Sequence, residues 1–563
     1  MPDEIMPAPV AAITSQTRMH HGSTLVDPYT WLQNKADPAV IAYLEAENAY
    51  AHAQLQHTEA LQEELFHELR SRIKEDDSTA PQPCGDYFYY WRTEKGKQYR
   101  IFCRKRGRLD GQEEVLIDEN ELAAGRDYCR VFTFEPSPDH TLLAYSVDTT
   151  GAWVFDLYIK DLRTGELVTA AIPNTAWSVA WASDCRTLFY TLFDEAHRPY
   201  QVYRHTIGDL SPADPLVYHE SDNAFSLEIR RTRSGAFLLL TLQSMSTSEV
   251  RYLSANHPQG DFQLIHPRQH WMEYYVEHHG DRFLIRSNEQ AENFKLMEAP
   301  VASPTKSHWR EVIPHRADTL IEDVRAFHDH LVVYERTQGL KQIRISAPDG
   351  RTHVHHVAFP EPVYTFQTRI GAIDLNRAFN TRVLRMLYSS LVTPESPVDY
   401  DMISGTWDVK KEQEIPSGYD PVQYETQRLH VTAPDGTSIP ISLVYRTGLQ
   451  RDGRNPTLLY GYGAYGYSLD PGFDAKRISL LDRGFVFAMA HVRGGSELGR
   501  AWYEQGRLVY KKNSFTDFIA CAEHLVAAGY TMPDKLAILG GSAGGLLVSA
   551  VANLRPDLFK AVV

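Results

Sequence analysis

The chain has 563 residues, 43% of them hydrophobic and 23% charged, and a formal net charge of −15. That length exceeds what one hydrophobic core supports, so at least two soluble domains are expected. The negative balance argues against nucleic acid as a partner and is compatible with a cationic substrate. No run approaches membrane-spanning length, so no membrane-spanning helix is expected, and no membrane partner is expected either. Met1 to Gly22 carries early acidic residues and only a short apolar stretch, so it fails as a signal peptide. Cys84, Cys103, Cys129, Cys185 and Cys521 are few and scattered, with no C-x-x-C pair. They suggest neither a disulfide framework nor a zinc site, and they read as buried thiols. His20-His21 and His355-His356 lack metal-ligand spacing with acidic partners. The expectation is a cytoplasmic protein with no metal and no cofactor.

Asp27-Pro28-Tyr29-Thr30-Trp31-Leu32 precedes a helical stretch from about Asp37 to about Lys74, where Val40, Tyr43, Leu44, Leu61, Leu65 and Leu69 recur at helical spacing. From Cys84 the pattern turns to short alternating strands for more than 300 residues, with no helix expected. Seven hairpin-like units stand out: Gly85 to Cys103, Pro138 to Lys160, Ser183 to His205, Ser234 to Leu253, Gly280 to Met297, Asp329 to Ser346, and Asn380 to Met402. Asp139 and Asp184 hold the same turn, and Leu157-Tyr158 and Val202-Tyr203 the same later strand, at a spacing of about 45 residues, the length of a four-stranded propeller blade. A seven-bladed β-propeller is expected, with an irregular all-β sandwich as the alternative.

Helices return after about Gly418. Tyr424 to Thr432 and Ile439 to Tyr445 flank an Asp435-Gly436 turn, followed by a strand at Thr457 to Tyr460, a helix near Lys476 to Asp482 and a strand at Phe485 to His491. Ser514-x-x-Asp517 is expected to cap a helix running to about Ala528. Alternating strands and helices with short links give a doubly wound α/β pattern. Gly540-Gly541-Ser542-Ala543-Gly544 lies between the apolar run Leu536 to Leu539 and the helix-like Leu546 to Leu554. A serine between glycines at a strand-to-helix turn reads as a nucleophile elbow: only glycine-sized neighbours let the turn close while the hydroxyl points outward. The Ala543 amide, first in the following helix, faces the place where an oxyanion would form. The plainer reading is a structural turn. In this fold class the acid and the histidine follow the serine, yet few residues follow Ser542 and none is a histidine. The chain therefore reads as truncated, with a nucleophile lacking its base and no activity expected of it alone. His491 and His524 read as scaffold histidines, and Arg493 and Glu497 as structural residues of a Gly-rich loop.

These motifs together resemble the prolyl oligopeptidase family of serine peptidases, and within it the oligopeptidase B branch. The resemblance spans the chain and is carried by the Asp27 to Leu32 motif, Tyr460 to Gly466, Leu481 to Phe485, His491 to Gly495 with Glu497-Leu498-Gly499, and Gly540 to Gly545. It implies an α/β-hydrolase domain (418–563, incomplete at its end), a seven-bladed propeller (77–417) acting as a lid, and an N-terminal helical segment (1–76) packing on the catalytic domain. It implies a serine endopeptidase acting on oligopeptides, with cleavage after Lys or Arg. Alternatives are cleavage after proline or an inactive propeller-based binding protein. Tyr462 matches the tyrosine whose hydroxyl joins the Ala543 amide in the oxyanion hole; the plainer reading is packing in a glycine-rich loop. Asp470 falls where oligopeptidase B carries the first of two aspartates that bind a basic substrate residue. The second is replaced by Gly472, with Asp474 close by, and Asp470-Pro471-Gly472 reads equally as a turn.

Overall fold

The computed structural model describes residues 6–209, 213–370 and 373–563. The chain divides into two compact units, Met1–Ile73 and Lys74–Val563. In the first, the hairpin β1 (Gln16–His20) and β2 (Ser23–Asp27) precedes α1 (Pro38–Leu55) and α2 (Glu59–Ser71). Asp37 caps α1 by accepting from Ala39 N at 2.9 Å, with proline in the first turn, where its missing N–H costs nothing. In the motif ahead of it, Asp27 accepts from Tyr29 N at 2.9 Å and Trp31 donates to Ala12 O at 2.8 Å.

The second unit opens with a series of antiparallel sheets. All seven hairpins expected from the sequence form, but not as seven separate blades. Among the described residues there are five four-stranded sheets and one seven-stranded sheet covering 130–219. The cause is β3 (Ile172–Trp181), a ten-residue strand that pairs with Phe155–Asp161 at one end and Thr187–Phe193 at the other, with register breaks on both sides. It joins two repeats into one hydrogen-bonded sheet, and both carry the same details. Tyr145 stacks on Tyr158 at 5.4 Å and Tyr190 on Tyr203 at 5.7 Å, while Asp139 and Asp184 each accept backbone amides two residues on. The last sheet returns to the first: Arg385 donates to Pro81 O at 2.6 Å and Gln82 to Asp374 O at 3.0 Å, so the series closes on itself. Asp374 also pairs with Arg233, and Arg377 with Glu135, so the segment between the last sheet's first two strands ties several sheets together. Among the described residues of this series two short departures from all-β structure occur, the helical turn α3 (Glu119–Leu122) and a 3₁₀ turn at Lys306–His308. All five cysteines are free; Cys84 and Cys185 are only half-buried rather than core thiols.

The rest of this unit is a six-stranded sheet built from β4 (Tyr424–Thr432), β5 (Ser438–Arg446), β6 (Thr457–Tyr460), β7 (Val486–Ala490), β8 (Leu536–Leu539) and β9 (Ala561–Val562), in the order β4-β5-β7-β6-β8-β9. The first three in that order pair antiparallel and the remainder parallel. Strands covered on both faces read as continuous apolar runs, as Leu536–Leu539 does. Leu459, Ile538, Phe518, Leu547 and Val551 form the core between the sheet and helices α4 (Lys512–Ala527) and α5 (Ala543–Leu554). Ser514 and Asp517 do not cap α4; they lie inside it. Together with Phe518, Cys521 and Leu525 they recur at i, i+3, i+4, i+7 and i+11, which puts them on the buried face.

Candidate active site

The elbow follows directly from β8. Ser542 adopts φ 56° and ψ −121°, backbone that a non-glycine residue holds only when its surroundings impose it. The glycines of the motif are steric requirements. A Cβ on Gly540 would lie 2.2 Å from the Gly544 carbonyl oxygen, and one on Gly544 would lie 2.8 Å from the Gly461 carbonyl oxygen. Ser542 is exposed, at the N-terminus of α5. The Gly544 and Gly545 amides are spent on tight bonds to Gly541 O and Ser542 O, at 2.8 and 2.9 Å. As one of the helix's first amides, the Ala543 N–H has no intrahelical acceptor, and so can meet a developing negative charge.

Tyr462 stands on the loop after β6, the strand beside β8. Gly461 N donates to Leu539 O at 3.3 Å, so this loop and the elbow leave the sheet side by side. A Cβ on Gly544 would sit 3.6 Å from the Tyr462 Cα, which fixes the tyrosine against the first turn of α5. Its ring meets Tyr467 edge-on at 5.5 Å. The loop is held from beneath: Ser514 donates to Arg493 O at 2.6 Å, and Lys511 donates to Gly463 O. Arg493 is 3% exposed and Asp517 fully buried; Asp517 accepts from the Arg493 backbone N–H at 3.0 Å and from its guanidinium at 2.8 and 2.5 Å, with Asp435 adding a third carboxylate contact at 2.7 Å. Arg493 is thus a loop-shaping residue, and the Ser514/Asp517 pair serves its loop. His491 is fully buried and hydrogen-bonded to Ser442 at 2.8 Å, as a scaffold histidine would be. Glu497 accepts from Leu469 N at 2.8 Å, which fixes the residue before Asp470.

Asp470 does not stand open. Its carboxylate pairs with Arg336 at 2.9 Å and Lys341 at 2.7 Å, both from the sheet series. Burial pushes the Asp470 carboxyl up, but the Arg336 and Lys341 charges and hydrogen bonds outweigh it and hold it down to about 2. Gly472 N donates to Asp470 O at 2.9 Å, so the turn the tripeptide favours is present too. Sequence reasoning missed Arg336 and Lys341 altogether; Arg336 lies 134 positions from Asp470, and no local signal links them.

Two family models match the chain: the prolyl oligopeptidase N-terminal beta-propeller domain over residues 9–413, and the prolyl oligopeptidase family over 471–563. The chain is 38% identical to dipeptidyl aminopeptidase BI of Pseudoxanthomonas mexicana, over 99% of this chain and 79% of that protein. It is 36% identical to protease 2 of Moraxella lacunata, over 99% and 80%. Among solved structures it resembles oligopeptidase B from Trypanosoma brucei with covalently bound antipain in its closed form, with a TM-score of 0.90 and 35% identity over 99% of this chain and 82% of that one. The chain belongs to the prolyl oligopeptidase family of serine peptidases.

Proposed function

We propose that the protein is an oligopeptidase that cleaves short peptides after Lys or Arg by acyl transfer at Ser542. The observation that carries this reading is the forced backbone of Ser542 beside the Tyr462 loop. In this reading the Ser542 hydroxyl attacks the scissile carbonyl and loses its proton to a histidine base. The new oxyanion accepts hydrogen bonds from the Tyr462 hydroxyl and the Ala543 amide, and the amine leaves with a proton returned by the base. Water then hydrolyses the acyl-enzyme by the same route in reverse. The basic preference rests on the resemblance and the net charge of −15.

The seven-stranded sheet counts as two blades in this reading, making seven, because the repeat spacing continues through it. With domain limits of 1–76, 77–417 and 418–563, the second boundary falls in the gap between the last strand of the sheet series, ending at Val409, and β4, starting at Tyr424. Five free thiols without a pairing partner support a cytoplasmic site of action. Among the described residues no helix is long and apolar enough to cross a membrane.

Cleavage after proline is the second reading, favoured by the occupied state of Asp470. Reporter peptides ending in Arg, Lys or Pro, given to protein expressed from its full open reading frame, separate the two. Arg and Lys reporters should be cleaved far faster, and Ser542→Ala should abolish cleavage. Faster cleavage after Pro moves the assignment, and no cleavage of any peptide favours a binding protein.

A further inference from the structure

A cavity of about 360 Å³ lies between the sheet series and the hydrolase part, beside Tyr467, whose ring touches that of Tyr462. Its walls carry Arg286, Glu322, Arg336 and Lys341 from one side and Asp470 and Arg500 from the other. Most of these charges cancel locally. Arg336 bonds Glu322 at 2.6 Å and Asp470 at 2.9 Å, Lys341 bonds Asp470, and Arg500 is met by Glu273 at 3.0 Å and Glu504 at 2.9 Å.

Arg286 is the exception. Its Nη1 donates to Ile321 O at 3.0 Å, its guanidinium stacks over Tyr275 at 4.3 Å and Phe294 at 4.4 Å, and among the described residues no carboxylate pairs with it. Its Nε is buried without a hydrogen-bond partner among the described residues. A buried donor on a charged group is costly to leave unmet, and the planar fork of a guanidinium suits a carboxylate. The stacking rings hold the fork in place before any ligand arrives, so little side-chain entropy is lost on binding.

We infer that this cavity is a carboxylate subsite, in which Arg286 receives a carboxylate of the bound peptide, from its C-terminus or from an Asp or Glu side chain. The inference rests on the peptidase reading above, and it gives Asp470 a different part from the one expected of it. Asp470 offsets Arg336 and Lys341, so that among the described residues lining the cavity Arg286 remains the unmatched charge, and a basic residue entering here would meet cations.

The test uses internally quenched peptides differing only in a C-terminal acid or amide, and a second pair differing only in an internal Glu or Gln. With protein from the full open reading frame, the acid of one pair should show a KM about tenfold below its partner, with kcat little changed, as for binding felt equally in ground and transition states. The pair that responds identifies the source of the carboxylate. Arg286→Gln should bring the ratio near one, and Arg286→Lys should restore part of it. Asp470→Asn, which leaves Lys341 and Arg336 less compensated, should enlarge the ratio, so a folding defect in one variant cannot mimic the pattern. Equal constants for both pairs in the wild type, or an unchanged ratio in Arg286→Gln, would overturn the inference. If nothing is cleaved, the peptidase reading has failed. Calorimetric binding of the acid and amide peptides to wild type and Arg286→Gln then decides the subsite by the same ratio.

Discussion

The elbow and the cavity wall use charge and geometry in opposite ways. At Ser542 most of the geometry comes from neighbours in sequence: Gly540 is required by the Gly544 carbonyl four residues on, the strand and helix on either side supply the turn, and only the Gly544 requirement comes from elsewhere, from the Gly461 loop. At Asp470 the environment comes from across the unit, since Arg336 and Lys341 arrive from the sheet series. A motif can therefore announce a nucleophile, whereas the same kind of motif leaves open whether a carboxylate is available to substrate.

The largest effect expected at the first region is on its foundation. Asp517→Ala strips the buried Arg493 guanidinium of its main partner, and removing one member of such a pair costs about 3–5 kcal/mol. Chemical denaturation should show that loss, and a loss under 1 kcal/mol would mean the Arg493 loop does not depend on Asp517. Tyr462→Phe should lower kcat by about 10² to 10³, the usual cost of one oxyanion donor, with little change in KM. A variant within threefold of wild type would remove Tyr462 from the oxyanion hole. Gly540→Ala places a methyl where the Gly544 carbonyl stands and shifts the elbow; misplacement of about 1 Å commonly costs about 10²-fold, so kcat should fall by that order while the fold persists.

The smallest effect separates the second region from the first. The Asp470 carboxyl is held at about 2 in the folded protein, against an ordinary aspartate value of 3.8. A depressed carboxyl contributes stability that is complete above the unfolded value and disappears as pH falls through the folded one, here worth about 2 kcal/mol. The stability gap between wild type and Asp470→Asn should therefore be about 2 kcal/mol at pH 6, shrink to a few tenths of a kcal/mol at about pH 2 and close below it. A gap independent of pH would mean that the Arg336 and Lys341 pairing does not form in solution.

What the sequence made legible follows the same division. Strands with alternating or continuous apolar residues, the Asp-headed turns and the elbow are local, and all seven hairpins form where the residues indicate. The joining of two repeats through β3 was not legible, because it depends on which neighbours one long strand pairs with at each end. Ser514-x-x-Asp517 fits a capping pattern, yet the helix starts earlier and turns both residues inward to serve Arg493; burial against a distant loop outweighed the local preference. Arg286 carried no signal at all, since an unmatched charge is visible only once every partner has been placed.

The central claim is that Ser542 is the nucleophile. Protein from the full open reading frame should be treated with a fluorophosphonate, digested and mapped by mass spectrometry. A single adduct on Ser542, absent in Ser542→Ala, is the predicted result; an adduct on another residue, or none in an enzyme that cleaves peptides, would contradict it.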